Sequence, residues 1–129
     1  MILLDTHVLI WAQGRSKKLS RAADSAIRRA QRSHGIAISI ISVVELAGLV
    51  RRGKVTLRGG FESTIKEFIE DVTIKPITTE IAVMTAELPY EFPNDPADRI
   101  IAATARAEGL PLVTADQQML DCPLLKTIW

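Results

Sequence analysis

Short apolar runs alternate along the chain with segments whose apolar residues recur every three or four positions. The runs predict strands at residues 2–4, 36–39, 72–77, 110–114 and 124–129. The intervening segments predict helices at residues 6–12, 21–32, 43–53, 61–71, 79–88 and 96–108. Strands that alternate with helices favour an α/β fold with a central, mostly parallel sheet covered on both faces.

Capping residues mark several of the predicted helix starts. Ser20 and Ser42 each precede a helix, and Asp95 followed by Pro96 combines an N-cap side chain with proline at the first helical position. Gly109 marks the end of the helix that Asp95 begins.

The composition favours one soluble domain over residues 1–129. Apolar residues make up 47% of the chain and charged residues 24%, and no apolar run approaches the roughly 18 to 20 residues of a membrane span. The first residues carry Asp5 within their apolar run and lack the basic segment of a signal peptide. A single cysteine, Cys122, excludes an internal disulfide. We therefore expect a cytoplasmic protein without a membrane segment.

Four acidic residues map to one edge of the predicted sheet. Asp5 ends the first strand, and Asp116 stands two residues after the strand at 110–114. Glu45 and Asp98 lie in the first turns of the helices predicted from residues 43 and 96. Because ligands bind outside the carboxyl ends of parallel strands, we expect these four carboxylates to converge there.

Each acid also has a structural explanation when it is considered alone. Ser42 and Glu45 have the spacing of a capping box. Asp98 lies close enough to its helix start to interact with the helix dipole. Asp5 is placed to end a strand, and Asp116 to begin a turn or cap a helix.

The position of Asp98 favours a functional role. Its helix carries an apolar stripe, of which Asp98 is the first member, followed by Ile101, Ala102 and Ala105. Arg99 and Arg106 lie on another face. A carboxylate on a buried stripe is costly unless another group pairs with it.

Four carboxylates at one edge repel each other unless a cation lies among them. The sequence places no Lys or Arg there, and an all-oxygen ligand set suits Mg²⁺, with Mn²⁺ as a substitute. His7, His34 and Cys122 are isolated in sequence, which argues against a zinc site. A hard divalent metal lowers the pKa of water and stabilises charge on a phosphoryl group, as phosphodiester hydrolysis requires. Thr114 is a candidate for orienting a carboxylate or a water, although a threonine at a strand end more often only packs.

Four segments of the chain match a known family. In chain order they are LLDTHVLIWA, SVVELAGL, DPADRIIAATA and LVTADQ. Together they resemble the PIN-domain family, and most of all the small toxins of VapBC toxin–antitoxin pairs. They span nearly the whole chain, and the 18 positions that separate Asp98 from Asp116 are typical of the family. The resemblance implies a three-layer α/β/α PIN-like domain with metal-dependent endoribonuclease activity.

The resemblance also implies roles for individual residues. It implies a catalytic, metal-binding cluster around Mg²⁺ formed by Asp5, Glu45, Asp98 and Asp116. Accessory positions are Thr6, Thr114 and Asp95, of which Asp95 is taken as structural. It further implies an RNA substrate, a VapB-like antitoxin as partner and a homodimer formed through early helices such as the one that carries Trp11.

Basic side chains that are candidates for binding RNA phosphates fall into two groups. The first, on the predicted helix at 21–32, fits a solvated helix face better than an RNA contact and comprises Arg28, Arg29 and Arg32. The second follows the helix that carries Glu45 and comprises Arg51, Arg52, Lys54 and Arg58. The chain has only six Phe, Tyr and Trp residues (three, one and two), which argues against an extended base-stacking platform.

Three other functions are compatible with parts of the pattern. An RNA-processing PIN nuclease that is not a toxin has the same acids. A catalytically inactive module has them as a metal-binding or RNA-binding site. A phosphotransfer domain with an aspartyl phosphate at Asp5 is disfavoured, because His7 stands where a haloacid dehalogenase has its second aspartate and no acidic pair follows the first strand as in a receiver domain.

Overall fold

Five strands form one parallel sheet in the computed structural model, which describes residues 1–14 and 16–129. The strands are β1 (Ile2–Leu4), β2 (Ile36–Ser39), β3 (Val72–Lys75), β4 (Leu112–Val113) and β5 (Thr127–Ile128). Their order across the sheet is β3-β2-β1-β4-β5, and every neighbouring pair is parallel. The first strand of the chain therefore lies at the centre of the sheet.

Helices connect the strands and cover the sheet. They are α1 (Thr6–Gln13), α2 (Arg21–Gln31), α3 (Ile40–Arg51), α4 (Phe61–Ile69), α5 (Thr79–Ala86), α6 (Pro96–Glu108) and α7 (Gln117–Leu120). Within residues 1–14 and 16–129, none of these helices is long and apolar enough to cross a bilayer.

The two faces of the sheet bury two separate apolar clusters. On one face, Leu4 of β1 packs in a cluster with Val8 of α1 and Ile27 of α2. On the other face, Leu3 of β1 packs in a cluster with Ile101 of α6. Successive residues of a strand point to opposite faces, so both sides of β1 are buried. This arrangement confirms the predicted α/β fold with three layers.

One predicted helix start is wrong. Ser39, the last residue of β2, caps α3 by accepting a hydrogen bond from the Ile41 amide at 3.2 Å. The helix therefore begins at residue 40, which places Ser42 in its first turn and Glu45 in its second. The apolar pair after Ser39 continues the pattern of the strand, and this continuity conceals the transition in the sequence.

Several strands are shorter than predicted, and one helix was not predicted. The strand expected at 110–114 covers only Leu112–Val113, and the strand expected at 72–77 ends at Lys75, before Pro76. Proline has no amide hydrogen to donate to a sheet. The four-residue helix α7 was not predicted, because it is too short to show an apolar period.

Candidate active site at the carboxyl edge of the sheet

Asp5 stands at the centre of this edge, directly after β1, and its carboxylate is held at both oxygens. As the N-cap of α1, its Oδ1 accepts the Thr6 amide at 2.8 Å. Its Oδ2 accepts the Thr114 hydroxyl, also at 2.8 Å. The side chain is only 9% exposed. Burial raises the pKa of Asp5, while the hydrogen bonds from Thr114 and Thr6 act in the opposite direction.

Thr114 joins Asp5 to the loop that carries Asp116. It follows β4 and is fully buried. Its hydroxyl donates to Asp5 and accepts a hydrogen bond from the Asp116 amide at 3.1 Å. A buried hydroxyl with both a donor and an acceptor partner fixes the two groups that it connects. Thr114 therefore positions a carboxylate, as the sequence had suggested, rather than only packing in the sheet.

Glu45 reaches this edge from the second turn of α3. The buried Thr6 hydroxyl lies 2.5 Å from Glu45 Oε1 and 2.8 Å from the buried Ser42 hydroxyl. The capping-box explanation of Ser42 and Glu45 is therefore wrong, since Ser39 is the N-cap and Glu45 bonds to α1. Burial raises the pKa of Glu45, the Thr6 bond lowers it, and the charge of Asp5 raises it further.

Asp98 lies in the first turn of α6 and is half-buried. Ile101 and the rest of its apolar stripe are buried, so the predicted orientation of the helix is correct. Burial raises the pKa of Asp98 to about 7, and the largest charge effects that follow all raise it as well. In decreasing order they come from Asp95, Asp5, Asp116 and Glu45. The other acids predicted to converge therefore all lie within electrostatic range of Asp98.

Asp95 and Asp116 both cap helices at this edge. Oδ1 of Asp95 accepts the Ala97 amide at 2.9 Å, as the Asp-Pro signature predicted. Oδ1 of Asp116 accepts the amides of Gln118 and Met119 at 2.8 and 3.2 Å. Both bonds to Asp116 use the same oxygen, and Oδ2 takes part in neither.

His7 also belongs to this edge, although it appeared isolated in the sequence. It is exposed in the first turn of α1, and its charge lowers the pKa of both Asp5 and Glu45. Its place two residues after Asp5 is the only local signal of this proximity.

The two arginines of α6 face away from the acids, as predicted. Arg99 donates to the carbonyl oxygens of Thr85 and Phe92 at 3.0 and 3.2 Å. Arg106 lies 3.9 Å from a carboxylate oxygen of Glu87. Arg99 therefore holds the segment before α6 in place through these hydrogen bonds. It does not neutralise the charge of the neighbouring Asp98.

The basic residues considered as phosphate ligands lie on exposed surfaces. Arg28 of the first group pairs with Asp24 on the same helix at 2.9 Å. Arg58 of the second group lies 3.7 Å from Glu67. The arginine of such an exposed pair can readily bind another anion instead, because each pair contributes only about 0–1 kcal/mol to stability.

The donor set at this edge consists of carboxylate oxygens, which suits a hard divalent cation. In residues 1–14 and 16–129, no group of three or more Asp, Glu, His or Cys side chains is arranged to hold a metal ion by itself. A closed protein cage is not needed for Mg²⁺, which keeps several waters and binds through one or two carboxylates. The residues therefore fit a hydrated Mg²⁺ by the chemistry of their donors.

Comparison with known proteins supports the resemblance seen in the sequence. The PIN domain family matches residues 2–123. Over 130 residues the chain is 37% identical to Ribonuclease VapC22 of Mycobacterium tuberculosis, and the match covers 99% of this chain and 98% of the relative.

Solved structures show the same fold. One is VapBC2 from Rickettsia felis bound to a promoter DNA fragment, with a TM-score of 0.75 and 24% identity over 98% of this chain and 97% of that chain. Another is DNA-bound VapBC from Salmonella typhimurium, with a TM-score of 0.71 and 21% identity over 98% of this chain and 97% of that chain. Because the family match and the mycobacterial relative both span nearly the full length, this chain belongs to the PIN-domain family.

Proposed function

We propose that this protein is a metal-dependent endoribonuclease that hydrolyses RNA phosphodiester bonds and serves as the toxin of a type II toxin–antitoxin pair. The observation that carries the proposal is the convergence of carboxylates from four separate segments on Asp98. Burial is the main cause that raises the pKa of Asp98 to about 7, and the charges of these carboxylates add to it. The name of the mycobacterial relative, a ribonuclease at 37% identity, supports the reaction class.

The residues around the proposed metal site are Asp5, Glu45, Asp98 and Asp116, of which one or two would hold a hydrated ion directly. Mg²⁺ is the ion that we propose, and Mn²⁺ is a chemically similar substitute. When bound, the ion supplies charge neutralisation at the phosphoryl group and a lowered pKa for water.

The chain itself contributes a preorganised edge. Asp5 is fixed at both oxygens by Thr6 and Thr114, so its orientation is set before a ligand arrives. Asp98 holds a proton on its carboxylate below about pH 7. A cation held among the acids would favour the ionised form of Asp98.

We further propose that the toxin acts in the cytoplasm and has two protein partners there. A VapB-like antitoxin is supported by structural relatives that are VapBC complexes. A homodimer is supported by Ile40 and Val44, which are 36% and 61% exposed one turn apart on α3. Light scattering of the protein alone and with the product of the adjacent reading frame measures both associations.

Cleavage of purified RNA tests the catalytic proposal. Wild-type protein with Mg²⁺ is expected to cut RNA internally, while EDTA, Asp5→Asn and Asp98→Asn abolish cutting. Asp71→Asn is the matched control, because Asp71 is an exposed acid that precedes β3 at the opposite edge of the sheet. Cleavage that survives both active-edge substitutions contradicts the proposal and leaves a metal-binding or RNA-binding module as the alternative.

A further inference from the structure

Three aromatic side chains form a continuous row on one side of the acidic edge. The ring centroids of His7 and Trp11, one turn apart on α1, are 6.0 Å from each other. The centroids of Trp11 and Trp129 are 5.9 Å apart. Both distances lie in the range of interacting aromatic pairs, so we call His7, Trp11 and Trp129 the aromatic row.

Strand register places the far end of the row at the same edge as the acids. Leu4 pairs with Val113, and Val113 pairs with Ile128. Trp129 therefore follows its strand at the level where Asp5 follows β1, two strands away. Two strand spacings correspond to roughly 10 Å across the sheet.

The near end of the row lies within electrostatic range of the acids. His7 lies two residues after Asp5, and its charge acts on both Asp5 and Glu45. The row consequently begins at the acidic site and extends away from it.

The row is accessible and lies beside positively charged lysines. His7 is exposed, whereas Trp11 and Trp129 are half-buried. Trp129 also packs against the apolar cluster of α1 and α2. The exposed Lys18 places its Nζ 5.7 Å from the centroid of the Trp11 ring. Its neighbour Lys17 is exposed as well.

Rings beside cations are the recurring composition of single-strand nucleic-acid sites. The acids alone repel phosphates, so an RNA chain that approaches them needs attraction from adjacent groups. We propose that the aromatic row and Lys18 bind unpaired RNA next to the acidic edge, with bases stacked on the rings and a phosphate at the Lys18 ammonium. The proposal rests on the proposed ribonuclease function and assigns to the aromatic row and Lys18 a binding site for the RNA substrate.

Single-stranded RNA fits the row better than duplex RNA does. Bases within a duplex are stacked on each other and offer no free face to a side chain, whereas unpaired bases stack readily on aromatic rings. Stacking tolerates any base, so the row predicts affinity without strong sequence preference. Substrate selection among RNAs would then depend on which sites are unpaired.

Tryptophan fluorescence tests this proposal directly, because both tryptophans of the chain belong to the row. Full-length protein in EDTA and low salt is titrated with a labelled five-nucleotide RNA while tryptophan emission and label anisotropy are recorded. Emission is expected to fall along the binding curve. An abasic oligonucleotide of the same length is expected to bind about 5- to 100-fold more weakly and to leave emission unchanged. Unchanged emission on RNA binding, equal affinity for the abasic chain or absence of binding overturns the proposal.

Variants separate stacking from packing. Trp129→Leu keeps an apolar side chain and is expected to raise the KM for RNA cleavage about 5- to 100-fold with little change in kcat. Tm is expected to fall modestly, because the ring also packs against the apolar cluster of α1 and α2. Lys18→Gln is expected to reduce the slope of log affinity against log salt by about 0.7, as for one phosphate contact. Phe61→Leu, which alters a 45% exposed aromatic outside the row, is the control and should change KM less than twofold.

Cleavage measured in parallel distinguishes the two proposals. RNA cutting with Mg²⁺ together with a normal KM in Trp129→Leu overturns the aromatic site and leaves the ribonuclease proposal intact. If no RNA is cut, the ribonuclease proposal fails. Quenching by the labelled RNA that is absent with the abasic chain would then still support a site for unpaired RNA.

Discussion

The Thr114 hydroxyl donates a 2.8 Å hydrogen bond to Oδ2 of Asp5 and so links the ends of two adjacent strands. We expect Thr114→Val to reduce RNA cleavage at least tenfold, because Asp5 loses an orienting donor. A buried hydrogen bond to a charged group contributes about 1.5–3 kcal/mol, so stability should fall by a similar amount. Cleavage rates and urea unfolding measure the two effects.

Two further variants control the threonine prediction. Thr114→Ser restores the hydroxyl and should recover most of the activity. Thr73→Val, at an exposed position of β3, should leave both quantities unchanged. Full activity in Thr114→Val would show that the hydrogen bond is not needed for cleavage.

Asp98→Asn should stabilise the metal-free protein at neutral pH. The folded pKa of Asp98 is about 7, above its ordinary value of 3.8. The folded state therefore binds more protons than the unfolded state between these values, and stability decreases as pH rises through that window. The Tm difference between Asp98→Asn and wild type in EDTA should grow from pH 4 to pH 7 and then level off.

The same variant should also abolish cleavage at every pH. A constant Tm difference across the pH range would show that the charge on Asp98 does not oppose folding. Loss of folding in Asp98→Asn would instead support a helix-start role for this residue.

Mg²⁺ should raise the Tm of the wild-type protein, and more at pH 8 than at pH 5. Metal ligands must be ionised, and the pKa values of Asp5, Glu45 and Asp98 are all raised. A ligand that binds only the folded state stabilises it according to its concentration. Thermal unfolding with Mg²⁺ and with EDTA measures the effect.

The comparison variants are Asp5→Asn, which should lose the Mg²⁺-dependent shift, and Asp71→Asn, which should keep it. A shift of equal size at both pH values, or one that persists in Asp5→Asn, would place the ion elsewhere.

Asp95→Ala should cost about 0.5–2 kcal/mol of stability, the usual effect of removing an N-cap. Asp95→Asn should retain the cap, since an amide oxygen can also accept the Ala97 amide. Chemical denaturation measures this difference between the two variants.

Both Asp95 variants remove the largest of the charge effects that raise the pKa of Asp98, so the acid limb of the pH–rate profile should move to lower pH in both. An unchanged acid limb would mean that Asp98 does not set it.

Local signals in the sequence were sufficient for the parts of the site that depend on one segment. The Asp-Pro pair predicted the cap at Asp95, and the apolar stripe of α6 predicted the orientation of Asp98. The carboxyl-edge rule then brought the remaining acids together, because parallel strands all end at the same side.

Features that depend on contacts between distant segments were missed. The bond from Thr6 to Glu45 joins residues 39 positions apart, and it replaced the capping box that local spacing had suggested. The position of Trp129 follows from the pairing of β4 with β5, which no periodicity in the sequence reveals. His7 approaches Glu45 only when α1 and α3 pack together.

The central position of β1 also bears on synthesis of the chain. Asp5 leaves the ribosome well before its partner Thr114, which is translated 109 positions later. A nascent chain in which β4 has not yet been synthesised cannot complete the acidic edge, although its Asp5 has already left the ribosome. Nuclease activity would therefore begin late in translation, and a premature stop before residue 112 would yield a fragment without a cutting site.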